Sequence, residues 1–147
     1  PEADAIAGVA TGAIAQGALV ADALNLPYAY VRSTPKDHGL ENLIEGNLRQ
    51  GAKVVVIEDL VSTGKSSLKA VEAIRNAGCE VVGMVALFTY GFPLAEENFN
   101  NAGVKLVTLS NYDAMLEVAL QTEYITKDDL ETLHMWRKDP ANWTPVR

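Results

Sequence analysis

The most informative part of this chain is KVVVIEDLVSTGKS, from Lys53 to Ser66. It opens with an unbroken β-branched run, residues 54–57, of the kind that is buried on both faces of a parallel sheet. The run stops at two acids, Glu58 and Asp59, and small residues then lead into a helical pattern at Lys65. We therefore predict a strand that brings two carboxylates to the carboxyl-terminal edge of a sheet, where open α/β sheets bind ligands.

The same stretch combines two chemical preferences. Ser62, Thr63 and Gly64 precede a helix, and such a loop suits a phosphate, which the free N–H groups and the helix dipole attract. The two carboxylates would repel that phosphate unless they face a hydroxyl or a metal ion elsewhere on the same ligand. A phosphorylated sugar with Mg²⁺ satisfies both preferences. A plain strand with a Ser/Thr N-cap would explain the hydroxyls but not the two acids.

The ending Gly64-Lys65-Ser66 is also typical of a nucleotide-binding P-loop. That motif needs an earlier glycine at the position that Asp59 occupies, so the spacing excludes it.

Composition narrows the class of protein. The 147 residues, 48% hydrophobic and 21% charged, fit one globular domain, residues 1–147. A net charge of −7 without a Lys/Arg cluster argues against nucleic acid or an anionic membrane as a partner. The single cysteine, Cys79, excludes an internal disulfide and a cysteine-based metal site. With no membrane-spanning stretch and no signal peptide, we expect a cytoplasmic protein.

Periodicity predicts alternating strands and helices. Strands are expected at 4–10, 28–32, 54–57, 80–89 and 104–109, and helices at 14–24, 66–77, 94–102, 112–121 and 128–138. This order implies an α/β domain with a mainly parallel sheet flanked by helices. The chain opens at Pro1 without Met and enters a strand almost at once, so we expect that an N-terminal segment is missing.

Two further segments are candidates for ligand contact. Thr11 and Gly12 lie between the first strand and its helix, a geometry that suits an anion, although a plain connection explains them equally well. The connection after Arg32 shows no period before Ile44 and contains Lys36 and His38. A connection of this length is uncommon unless it is functional or disordered. It suits a mobile lid over an anionic substrate, and a solvated surface loop is the alternative.

The order of strand, acids and small-residue loop at 53–66 resembles the phosphoribosyl-diphosphate (PRPP) signature of type I phosphoribosyltransferases. This resemblance implies that Glu58 and Asp59 hold the ribose hydroxyls of PRPP, and that Thr11 and Gly12 cradle its pyrophosphate. It also implies that the loop binds PRPP, with the 5′-phosphate at 61–66, through Leu60, Val61, Ser62, Thr63, Gly64, Lys65 and Ser66.

Within that family, the long connection is similar to the loop of orotate phosphoribosyltransferases. It carries Arg32, Lys36 and His38-Gly39, followed by Ile44-Glu45-Gly46, and the similarity extends over residues 4–93. Ser33 stands where many members carry a second Lys.

This resemblance implies transfer of the phosphoribosyl group of PRPP to orotate. Mg²⁺ would arrive with PRPP and have no direct protein ligand. Lys36, His38 and Asp59 would be catalytic, with Arg32 also binding PRPP and Ser62 contacting orotate. A homodimer would place each lid over the partner subunit's site.

Three alternatives stay open. A phosphoribosyltransferase for another base would share the signature, and so would a non-catalytic PRPP-binding regulator. Lys36 and His38 argue against the regulator, which needs no leaving-group chemistry. A phosphoacceptor receiver domain also clusters acids at strand ends, but it needs an acidic acceptor after another strand, and the sequence offers none.

Overall fold

The computed structural model describes residues 2–34 and 43–144 as an α/β fold. In chain order its elements are β1 (Ala5–Val9), α1 (Ile14–Leu24), β2 (Tyr28–Val31), β3 (Ile44–Gly46), β4 (Lys53–Val61), α2 (Lys65–Asn76), β5 (Glu80–Thr89), α3 (Pro93–Asn101), β6 (Leu106–Asn111), α4 (Tyr112–Gln121) and α5 (Lys127–Lys138). None of the helices in these residues is long and apolar enough to cross a membrane.

The strands form one sheet in the order β3-β2-β1-β4-β5-β6. All neighbouring pairs are parallel except β2 and β3, which are antiparallel. The prediction of a mainly parallel sheet flanked by helices is therefore confirmed. Strand β1 is buried along its whole length because helices cover both faces of the sheet at its centre.

Two apolar clusters hold the helices on the sheet. On one face, α2 and α3 pack on β1, β4 and β5 through residues that include Val71, Ile74 and Phe99. On the other face, Ala13 and Ala21 at helix α1 pack with Ile6 of β1 and with Val55 and Ile57, which alternate along β4. This two-sided burial explains why β-branched residues run unbroken through β4.

Helix α1 lies unusually close to β1, because both elements have a glycine at the contact. A Cβ atom at Gly17 would lie 3.0 Å from the Cα of Gly8, and the Tyr28 side chain closes the same gap. The Tyr28 hydroxyl donates to the carbonyl of Ile14 at 2.6 Å, which ties β2 to the first residue of α1.

The structure differs from the sequence prediction at the end of the central strand. Strand β4 does not stop at the acids but continues to Val61, since it pairs with β5 as far as Val61 and Thr89. Its pairing with β1 ends at Gly8 and Ile57. The two acids therefore lie beyond the part of β4 that pairs with β1 but within the part that pairs with β5, which fixes their backbone.

Strand β3 was not predicted. It is three residues long and pairs with β2 across Tyr30 and Glu45, so only the neighbouring strand reveals it.

The C-terminal helix is held by an aromatic cluster at the end of β5. Trp136 of α5 lies between 5.4 and 6.1 Å, centroid to centroid, from the rings of Tyr90, Phe92 and Tyr112. These ring contacts anchor α5 to the end of β5. At the other end of α5, Thr126 and Asp129 form a capping box.

Candidate functional site

Helices α1 and α2 both begin at the carboxyl edge of the sheet, directly after β1 and β4. Of the five helices in the described residues, these two have neither a side-chain cap nor an acidic residue in the first turn. Helices α4 and α5, by contrast, are capped by Asn111 and Thr126. The N–H groups and positive dipole ends of α1 and α2 are therefore left for an anion from outside the helix.

The loop before α2 packs against α3. Gly64 has a φ of 79°, a left-handed conformation that glycine adopts without steric cost. A methyl group at this position would lie 2.7 Å from the ring of Phe99. The Asn98 side chain donates to the Thr63 carbonyl at 2.8 Å. Sequence reasoning missed Asn98 and Phe99, because they lie more than thirty residues downstream in an ordinary amphipathic helix.

The two acids lie in different surroundings. Glu58 is only 4% exposed, and its Oε2 accepts a hydrogen bond of 2.8 Å from the Ser67 hydroxyl. Its Oε1 accepts from the backbone N–H of Asp59 at 3.0 Å. Asp59 is half-buried, and its Oδ1 accepts from the N–H of Leu60 at 2.7 Å.

Burial is the main cause that raises the pKa of Glu58, to about 7, and the neighbouring Asp59 side chain raises it further. The hydrogen bonds from Ser67 and from the Asp59 backbone lower it. Glu58 is therefore only partly ionised near neutral pH, whereas an ordinary surface glutamate would be fully ionised.

The first loop packs directly on the second acid. A Cβ atom at Gly12 would collide with the Asp59 carboxylate, so only glycine allows this approach. Ala10, whose peptide bond to Thr11 is cis, donates its N–H to the Val31 carbonyl at 2.8 Å. The two segments that sequence reasoning treated separately, Thr11-Gly12 and the acid pair, are thus brought together.

The remaining predicted residues of the loop after β4 divide into exposed and buried ones. Leu60, Ser62, Lys65 and Ser66 are exposed, and Thr63 is half-buried. Val61 differs, because its side chain is fully buried and its carbonyl accepts from the N–H of Tyr90 at 3.2 Å. Its side chain thus packs in the core.

Arg32 follows β2 at the same sheet edge. Its Nη1 lies 3.2 Å from Oε1 of Glu45 on β3, and both side chains are about one-third exposed (31% and 32%). The predicted phosphate-binding cation is therefore held by a carboxylate that sequence reasoning did not assign to the site. Lys36 and His38, the other predicted groups of the lid, lie outside the described residues.

The acid pair at the end of β4 is the carboxylate group of the described site that could contact a metal ion. In the described ranges, no group of three or more His, Cys, Asp or Glu side chains lies close enough to form a metal cluster. Mg²⁺ is commonly bound through one or two carboxylates together with substrate phosphates and water. The half-buried Asp59 beside Gly12 fits that kind of site.

Comparison with known proteins gives consistent matches. Residues 2–121 match the model of the phosphoribosyl transferase domain. The chain is 76% identical over 140 residues to an orotate phosphoribosyltransferase of Bacteroides thetaiotaomicron, covering 95% of this chain and 66% of that protein. The chain therefore spans slightly less than two thirds of this relative's length.

Two solved structures are also similar. The orotate phosphoribosyltransferase of Aeropyrum pernix is 33% identical with a TM-score of 0.74, covering 85% of this chain and 68% of that one. The Mycobacterium tuberculosis orotate phosphoribosyltransferase in complex with PRPP is 26% identical with a TM-score of 0.63, covering 76% and 64%.

Proposed function

The chain belongs to the phosphoribosyltransferase family, and on this premise we propose that it is an orotate phosphoribosyltransferase acting in the cytoplasm. It transfers the phosphoribosyl group of PRPP to orotate, giving orotidine 5′-monophosphate and pyrophosphate. One observation carries the proposal: Gly12 before α1 packs on Asp59, beside the uncapped start of α2. Two anion sites with a carboxylate between them match PRPP, whose ribose carries a phosphate at one end, a diphosphate at the other and a diol between them.

In the reaction, a ring nitrogen of orotate bonds to the anomeric carbon of the ribose as the bond from that carbon to pyrophosphate breaks. The nitrogen releases its proton to the leaving pyrophosphate or to water. Positive charge develops on the ribose and negative charge on the leaving pyrophosphate. Asp59, together with the adjacent buried Glu58, holds the ribose hydroxyls and stabilises the positive charge that develops on the ribose. The start of α2 holds the 5′-phosphate, which fixes the anomeric carbon relative to the base.

Leaving-group stabilisation falls to the start of α1 and to three side chains. Thr11 and Gly12 supply backbone contacts to the pyrophosphate, and Arg32 supplies a planar fork once it exchanges Glu45 for the ligand. Lys36 adds a point charge and His38 a hydrogen bond or proton. Ser62, exposed at the head of the loop, contacts the orotate.

Mg²⁺ bound together with PRPP would supply positive charge to the diphosphate group. Asp59, which lies against Gly12, would hold it through water and not as a direct ligand.

The direct test is a base-specificity assay with Mg-PRPP. The protein should transfer phosphoribose to orotate and not to uracil or to purine bases. Asp59→Asn should reduce kcat/KM for PRPP by about 10²-fold or more, because a charge-assisted bond to the ribose is lost. Asp22→Asn, which changes an exposed carboxylate on α1, is the matched control and should leave the rate unchanged. Turnover of a different base would overturn the orotate assignment, and an unaffected Asp59→Asn would overturn the ribose assignment.

We further propose that the protein works as a homodimer in which Lys36 and His38 act on the partner subunit's site. Lys36→Ala and Asp59→Asn should each be nearly inactive alone. A mixed dimer carries one site in which both groups are intact, so random exchange should restore at most about a quarter of wild-type activity. If subunit exchange is demonstrated without recovery, each loop serves its own subunit.

A further inference from the structure

Ser67 and Glu58 stand apart from every other polar residue in the described part of the chain. They are its two almost fully buried polar side chains, 1% and 4% exposed. They also bond to each other, through the 2.8 Å contact from the Ser67 hydroxyl to Oε2 of Glu58. This contact ties the first turn of α2 to the end of β4, on either side of the loop that precedes α2.

The direction of the Ser67 hydroxyl is informative. A serine inside a helix can bond to the carbonyl four residues earlier, which here is Thr63. That carbonyl accepts from the side chain of Asn98. The Ser67 hydroxyl donates to the carboxyl group of Glu58 and not to its own helix.

The contact continues to Asp59. Glu58 accepts a hydrogen bond from Ser67 on one oxygen and from the Asp59 N–H on the other. Ser67 therefore restrains the Glu58 side chain, and Glu58 in turn restrains the Asp59 backbone. Asp59 in turn accepts from the Leu60 N–H on Oδ1 and faces Gly12 with Oδ2. Of the two acids, Asp59 is the one with substantial exposure to a ligand.

We propose that Ser67 is a positioning residue for the acid pair: its hydroxyl fixes Glu58, and Glu58 fixes the direction in which Asp59 presents its carboxylate to the ribose. This inference rests on the proposed function for the identity of the sugar ligand. Ser67 does not touch the substrate and acts through Glu58. A purely structural alternative is that Ser67 only holds α2 against β4, and in that case it would support the phosphate-binding end of α2 to the same extent.

The two explanations differ in which ligand they affect. Ser67→Ala should weaken the binding of Mg-PRPP by about tenfold, because a hydrogen bond to a charged group is lost from the chain that orients Asp59. Binding of inorganic phosphate, which has no diol, should change less than about twofold. Isothermal titration calorimetry measures the first affinity and ³¹P NMR the second. Ser110→Ala, at an exposed serine on β6, is the control and should alter neither.

A second measurement follows the carboxyl group itself. The Ser67 bond lowers the pKa of Glu58, so Ser67→Ala should raise that pKa further above about 7. Carboxyl ¹³C NMR titration reports this shift. Ser67→Thr, which keeps the hydroxyl, should restore both the pKa and the Mg-PRPP affinity. Should Ser67→Ala fail to fold, Ser67→Cys offers a similar volume with a weaker donor and should give shifts of the same sign.

These readouts do not require turnover. A protein that binds Mg-PRPP but transfers its sugar to no base would refute the proposed function and leave the role of Ser67 intact. An unchanged Mg-PRPP affinity and Glu58 pKa in Ser67→Ala would overturn the role of Ser67. Equal weakening of Mg-PRPP and inorganic phosphate would also overturn it, in favour of simple helix support.

Discussion

Replacing Glu58 by glutamine should remove most of a pH dependence that this side chain gives to the free energy of unfolding. Burial raises the pKa of Glu58 from 4.5 to about 7 in the folded protein. Between these values the folded state retains a proton that the unfolded chain has released. The free energy of unfolding of the wild type must therefore fall as pH rises through this window, and the loss is complete above about pH 7.

The size of the effect follows from the shift. At about 1.36 kcal/mol per pKa unit, a rise from 4.5 to about 7 sets an upper limit of about 3 kcal/mol. Because Glu58 adjoins the half-exposed Asp59, solvent screening reduces the expected change to about 1–2 kcal/mol. Glutamine does not titrate, so it carries no such dependence.

Urea unfolding at about pH 5, 6, 7 and 8 measures the difference. Glu58→Gln replaces one of the two carboxylate oxygens by an amide nitrogen, which donates. Ser67 and the Asp59 N–H both require an acceptor on this side chain, so the substitution also changes the free energy of unfolding by an amount that does not vary with pH. The test is therefore the slope: the stability of Glu58→Gln relative to wild type should increase by about 1–2 kcal/mol from pH 5 to 8. Glu72→Gln, at an exposed position on α2, is the matched control and should show a flat difference. Parallel curves for wild type and Glu58→Gln would show that Glu58 has no raised pKa in the folded protein.

Three further predictions concern the loops and the last helix. Gly12→Ala should reduce Mg-PRPP affinity at least about tenfold by calorimetry and leave the circular dichroism spectrum unchanged, because its methyl group displaces the Asp59 carboxylate at the exposed edge. Full affinity would contradict the packing of Gly12 on Asp59. Gly64→Ala should lower the free energy of unfolding by about 1–2 kcal/mol in urea, owing to its left-handed φ, with contact to Phe99 adding to the loss; an unchanged midpoint would count against this conformation. Thr126→Ala should cost about 1 kcal/mol through loss of the capping box, with Mg-PRPP affinity unchanged; a loss of affinity would show that α5 influences the site.

Much of the secondary structure was predictable because its causes are local. The helix at Ile14–Leu24, the strand at Glu80–Thr89 and the helix at Tyr112–Gln121 have the predicted limits. Each has an apolar pattern bounded by a turn former or by a cap, and these signals lie within a few residues of the boundary. The short strand β3 has no such pattern, since only its pairing with β2 makes it a strand.

The candidate site was predictable as a set of segments but not as an arrangement. The sequence alone identifies the acids, the small-residue loop and the Thr11-Gly12 turn, because hydroxyl, glycine and carboxylate chemistry is visible in residue type and order. Only the tertiary structure places Gly12 against Asp59 and Ser67 beneath Glu58.

The physical reason is that these contacts depend on the register of neighbouring strands and on which helix faces the sheet buries. Pairing with β5 carries β4 past the acids to Val61, and packing of α3 brings Asn98 to the Thr63 carbonyl. Neither of these two contacts can be recognised from the sequence near the residues concerned. Residue chemistry therefore determines what this edge of the sheet can bind, and packing between segments far apart in the chain determines which carboxylate faces the ligand.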